Sequence, residues 1–240
     1  MTRLRSMYGW RVKLYISAHS VLERHPRVGN WLQKSHLFRT SMPFLFNFDR
    51  CFSDRLYMTE NILPALALSK VQRLLFVGCR EYTARYGRRL TPAGIDYWTT
   101  DIDPAAAVWG EKGRHIVCDV AKIDDACPAE SFDAVLLNGV IGSGVDEESA
   151  MNRAVKAIAR ILRPNGILLI GWNSDKKHPD PTELESVALY FNRQPALNLP
   201  LRKTFPDTDH VYDWLVKTNA TEADAARKPF SDISFNTRPI

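Results

Sequence analysis

Gly78, Asp101, Asp119 and Asn138 each stand at or near the end of an apolar run, and their types at those places define a possible chemistry. The runs are residues 73–78 (RLLFVG), 95–101 (IDYWTTD), 114–119 (RHIVCD) and 132–139 (FDAVLLNG). A fifth, residues 166–172 (GILLIGW), leads to Trp172 and Asn173. A carboxylate at a strand end can accept hydrogen bonds from two ribose hydroxyls, and a glycine there lets the backbone approach a ligand closely. Asp101 follows Gly78 by 23 residues, near the interval of about 20 at which nucleoside-binding sheets place their ribose acceptor. The pattern therefore points to a cofactor containing a nucleoside. Asp103 offers a second carboxylate in the same DID stretch, but it precedes Pro104 as a helix cap would, which favours Asp101.

Positioning these residues together requires a parallel sheet, because only then do successive strand ends share one edge. The runs alternate with helical segments: residues 82–89, 104–110 and, most clearly, 146–162, opened by DEES and closed by RPNG. Ahead of them, Ser53 and Asp54 can cap a helix over residues 55–68, with Pro64 a possible kink. After Trp172 a polar, proline-rich loop (173–183) and a short helix (183–193) precede two strands, 201–205 and 210–218. These form a hairpin added antiparallel to the sheet edge. The expected fold is α/β: a Rossmann-like, doubly wound, mostly parallel seven-stranded sheet with an antiparallel C-terminal hairpin and an N-terminal helical cap. The expected divisions are a cap at 1–69, the sheet domain at 70–220 and a tail at 221–240.

Composition narrows the class. The 240 residues are 45% hydrophobic and 25% charged, the balance of a globular protein. No apolar run approaches the roughly 18–20 residues a transmembrane helix needs, and the four cysteines form no CxxC pair. A cytoplasmic location is expected. The net charge of +5 is uneven: residues 1–60 hold ten Lys/Arg against four Asp/Glu, together with ten aromatic residues, and the remaining 180 hold 22 against 23. Those charges are scattered, as on a cap that packs its aromatics inward, so nucleic acid is not expected as a partner and a membrane surface is a minor alternative.

Taken together, VGC, TTDIDP, CDV, SFDAVLLNGV and RILRPNGILLIGW resemble the class I S-adenosylmethionine (SAM)-dependent methyltransferases, over residues 73–172 and on through the hairpin. The resemblance implies SAM as cofactor. It implies cofactor contacts from Gly78, Cys79 and Glu81 in the first turn, Asp101 and Ile102 at the ribose and adenine, Asp119 and Val120 at the adenine edge, and Asn138 near the methyl group. Gly139, Trp172 and Asn173 would line the acceptor pocket. The family's first motif places an acidic residue two before its first glycine, then glycines at alternate positions. Here those places hold Phe76, Arg80 and Tyr82, leaving Glu81 to meet the methionine ammonium.

The reading that follows is methyl transfer to the oxygen or nitrogen of a small-molecule, glycan or natural-product acceptor. Candidates for a general base lie on loops above the strand ends: Asp146, Asp175, His178, Asp209 and His210, with His178 and Asp175 foremost. No metal site is expected. Two alternatives share the pattern: a non-catalytic binding or scaffold protein on the methyltransferase fold, and a nucleic-acid- or membrane-associated methyltransferase using the basic N-terminal region.

Overall fold

The computed structural model describes residues 52–174 and 178–218. Most of the expected cap (residues 1–51), Asp175 in the polar loop and the tail at 221–240 lie outside the described residues. The described chain opens with a helical rod. It consists of α1 (Ser53–Tyr57), a π-helical turn (Met58–Ile62) and α2 (Leu63–Ala67). The N-cap position is Phe52, which makes no capping bond; Ser53 instead donates to Asp207 across the molecule. Pro64 has no N–H to donate one turn back, and the wider turn just before it, closed by Leu63 N–H to the Met58 carbonyl, absorbs that mismatch.

The sheet follows: β1 (Arg73–Val77), β2 (Asp96–Asp101), β3 (His115–Val117), β4 (Phe132–Asn138), β5 (Leu162–Asn173), β6 (Phe191–Arg193), β7 (Arg202–Phe205) and β8 (Thr208–Lys217). Its order is β3-β2-β1-β4-β5-β8-β6, and β7 also pairs with β8. The first five strands are mutually parallel, and β8 runs antiparallel to β5. This is the Rossmann-like, mostly parallel architecture with the antiparallel hairpin β7–β8. Among the described residues the sheet has eight strands. The additional one, β6, lies within the stretch expected to be helical, where α6 (Glu185–Tyr190) stops and Phe191–Arg193 pairs with the end of β8.

Side chains alternate between two cores. Leu75, Val77, Val135, Leu137, Leu168 and Ile170 pack on one face against Met151, Val155 and Ile158 of α5 (Glu148–Ile161). Leu74, Phe76, Ala134, Leu136 and Leu169 face the other way, onto Met58, Ile62, Leu63 and Leu66 of the rod. With both faces covered, the parallel strands read as nearly unbroken apolar runs. The crossovers are less helical than expected. Residues 82–89 form a 3-10 turn (Glu81–Thr83) and the four-residue α3 (Gly87–Leu90), and the stretch after β2 is the 3-10 turn Pro104–Trp109; the segment after β3 holds only the brief α4 (Ile123–Ala126).

Candidate functional site

Above the C-terminal edge of the parallel strands lie two adjoining cavities. The first, about 300 Å³, is walled by Val77, Gly78, Ile102, Val120, Val140 and Val145, with Asp101 and Asp119 among its polar groups. The second, about 420 Å³, is lined by Asp54, Arg55, Tyr82, Asn138, Asn173, Thr208 and His210. Gly78, Arg80, Gly139 and Ser143 border both.

Gly78 makes the junction possible. Its φ is +93°, and a Cβ there would lie 2.8 Å from Val140 and 2.9 Å from the Asn138 carbonyl oxygen. The chain can therefore turn out of β1 and pass the end of β4 only as glycine. Asp101, at the end of β2, is 5% exposed and organises this turn. It accepts from the Cys79 N–H (2.8 Å), the Arg80 guanidinium (3.1 Å) and the Asp103 N–H (2.9 Å). Asp103 caps the 3-10 turn Pro104–Trp109 through the Ala105 N–H and lines neither cavity, as its place before proline implied. Ile102, by contrast, leaves 67% of its surface uncovered at the first cavity, where a flat apolar ligand group could rest. Asp119 lies two residues beyond β3 and caps the turn Val120–Lys122, with Val120 buried beside it.

Three neighbouring strands build the second cavity's floor. Asn138 ends β4, Asn173 ends β5, and His210 pairs with Asn173 near the start of β8. The His210 ring contacts Asn173 Oδ1 through Nδ1 (2.7 Å) and Asn138 Oδ1 through Nε2 (3.1 Å), and packs edge-on against Tyr212. Burial, and secondarily the positive charge of Arg55, pushes the His210 pKa down to about 4. The imidazole is therefore neutral near pH 7. It has one N–H and one bare nitrogen, so one of the two asparagine amides must turn its NH2 toward the ring. Gly171 supplies the room: a Cβ there would overlap Asn138 Oδ1 and lie 2.9 Å from Tyr212. The Arg55 guanidinium lies 3.9 Å from the centre of the Tyr82 ring, and burial raises the pKa of neighbouring Asp54.

Several sequence-predicted residues fall elsewhere. His178 packs against Trp172 and contacts the Pro179 carbonyl, outside both cavities; Asp146 and Asp209 are exposed and also outside them. Trp172 is 6% exposed and points into the core beneath α5, its indole N–H held by Asp213 (2.8 Å), so Asn173 and Gly139 line the second cavity without it. Cys79 contributes a backbone amide spent on Asp101, and its buried thiol is pushed up to about 12. Glu81 lines neither cavity: the extended Arg80 backbone starts the turn so that residue 80 borders the cleft. Burial raises the Glu81 pKa, and its Oε1 has no hydrogen-bond partner among the described residues. The residues that sequence reasoning passed over are Asp54, Arg55 and Thr208, while His210 ranked below His178. Its signal was the hairpin itself, since a strand antiparallel to β5 must begin where β5 ends. Among the described residues no cluster of His, Cys, Asp and Glu is placed to hold a metal ion.

Comparison with known proteins bears on the fold. Residues 75–170, spanning β1 through most of β5, match the family model described as a methyltransferase domain. The N-methyltransferase NodS from Bradyrhizobium japonicum has the same fold at 17% identity, with a TM-score of 0.54 over 72% of this chain and 100% of that one. A second NodS structure, in complex with S-adenosyl-L-homocysteine, superposes with a TM-score of 0.52 at 16% identity, over 68% of this chain and 87% of that one. A TehB-like SAM-dependent methyltransferase from Corynebacterium glutamicum gives a TM-score of 0.50 at 19% identity, over 69% and 95%. No curated protein matches the chain in sequence. No helix among the described residues is long and apolar enough to cross a membrane.

Proposed function

We propose that the chain is a SAM-dependent methyltransferase acting on a small-molecule acceptor. The observation that carries this reading is the pair of cavities joined across Gly78 and Gly139. One is apolar with carboxylates at its rim, the other polar, and both fall in the size range of ligand sites. In the first, Asp101 would take the ribose hydroxyls, with Ile102, Asp119 and Val120 around the adenine. In the second, Asn138, Asn173 and His210 would orient the acceptor.

The bound cofactor supplies an electrophilic methyl group on a sulfonium. The chain's own part is alignment, since an in-line displacement depends on holding the two partners at one distance and angle. Neutral His210 fixes the Asn138 side chain and spends no energy on a buried charge. Among the described residues Asp54 is the carboxylate lining the second cavity, and its raised proton affinity equips it to receive a proton from an acceptor hydroxyl or ammonium. The N-methyltransferase neighbour favours nitrogen as the methylated atom.

Isothermal titration with S-adenosylhomocysteine tests the reading. Saturable one-to-one binding is expected, weakened about ten- to a hundredfold in D101A through loss of hydrogen bonds to a charged group. Absence of binding at millimolar ligand would refute the cofactor site.

A further inference from the structure

Arg80 occupies a place that a cofactor's two halves would have to share. It follows the turn at Gly78, borders both cavities, and its side chain is 50% exposed. Its guanidinium lies 3.1 Å from Asp101 Oδ2 and 2.7 Å from the Cys79 carbonyl. The Asp101 carboxylate has about four lone-pair sites. Among the described residues three are taken: two by the backbone N–H groups of Cys79 and Asp103, and one by Arg80. That leaves one site for a ribose that presents two hydroxyls. The backbone donors are fixed by the turn, whereas Arg80 is the donor that rotamer change can remove.

On the reading that the cleft holds SAM, we propose that Arg80 exchanges partners when cofactor binds. It leaves Asp101 for the carboxylate of the cofactor's amino-acid half, which opens the second ribose position on Asp101. Arg80 then selects for ligands carrying an amino-acid carboxylate over adenosine derivatives that lack it. The exchange has a simple electrostatic basis. Arg80 stands beside one carboxylate in the free protein, and the incoming ligand carries another toward the boundary of the two cavities. A guanidinium recognises a carboxylate through paired N–H donors, so the ligand can replace what Asp101 gives up. The arrangement also gives the arginine that replaces a family glycine a purpose in binding. A turn with glycine at residue 80 would leave Asp101 open to any nucleoside; with arginine, a nucleoside must also displace an ion pair.

The test compares two ligands on the full-length protein by isothermal titration: S-adenosylhomocysteine, which has the amino-acid half, and 5′-methylthioadenosine, which lacks it. Wild type is expected to prefer S-adenosylhomocysteine. In R80A, affinity for S-adenosylhomocysteine should fall about ten- to a hundredfold, while affinity for 5′-methylthioadenosine holds or rises because Asp101 is no longer blocked. R80K keeps the charge without the fork and should retain part of the preference. Retained 5′-methylthioadenosine binding also shows that the R80A protein is folded around the adenosine site. Equal weakening of both ligands in R80A would make Arg80 a brace of the turn, and equal tightening would make it only a plug; either overturns the exchange. Wild type binding neither ligand would overturn the cofactor reading itself, a different failure from the other two.

Discussion

Replacing His210 with glutamine should remove a pH dependence of stability that wild type carries between about pH 6.5 and 4. His210 is 7% exposed and its pKa stands at about 4 against an ordinary 6.5. Below pH 6.5 the unfolded chain therefore takes a proton that the folded chain refuses until about pH 4. The unfolded state binds more protons throughout that window, so stability falls as pH falls. At about 1.4 kcal/mol per pH unit the full effect is about 3 kcal/mol, and about 2.5 kcal/mol of it is already lost by pH 4.5. Urea unfolding of wild type and H210Q at intervals from pH 7.5 to 4.5 measures it. The difference between the two proteins should shrink by about 2–3 kcal/mol on acidification, since only wild type has this proton to exclude. Subtraction cancels the other groups that titrate nearby. These include His115, whose pKa burial also lowers, and Asp54 and Glu81, whose raised pKa values act in the opposite direction. A difference that stays flat with pH would refute the neutral, buried imidazole and with it the orienting role given to Asn138.

Gly171→Ala should drive Asn138 away from His210, because the added methyl would overlap the amide oxygen and crowd Tyr212. A stability loss of about 1–3 kcal/mol is expected, read by urea unfolding, together with weaker S-adenosylhomocysteine binding; unchanged values would show that the floor has slack. Asp213→Ala removes one of the two carboxylates on Arg202, which keeps Asp180 at 2.7 Å, and leaves the Trp172 indole N–H, held at 2.8 Å by a carboxylate only 1% exposed, without its acceptor. Its cost should be about 1–3 kcal/mol in chemical denaturation, and a loss under about 0.5 kcal/mol would mean that water replaces the carboxylate. Cys79 should resist iodoacetamide in the folded protein at pH 8 and react after unfolding, because its thiol is buried and its pKa is about 12; peptide mapping that finds it labelled without denaturant would contradict the buried turn.

What the sequence determined by itself is what depends on local order along the chain. Strand ends are legible because an apolar run must stop where the backbone meets solvent, and the residue at that stop is fixed by type: Gly78 by its φ of +93°, Asp101 and Asn138 by the polar edge they share. The hairpin was legible from two short runs around a turn. Crossover helices were overestimated because their caps and glycines allow short 3-10 turns as readily as full helices, and β6 was hidden because three residues are too few to show a period.

Only the tertiary structure decided which polar side chains meet. His178 and His210 look alike as loop and strand-end histidines, and the β5–β8 register alone carries His210 to Asn173 while His178 rests on Trp172. Trp172 and Asn173 are adjacent in sequence, yet strand alternation sends one into the core and the other to the cavity. Arg80 could be seen in the sequence as a departure from glycine, but its partner could not. The pairing with Asp101 arises because parallel β1 and β2 end side by side, a relation between residues 21 positions apart that no local spacing contains.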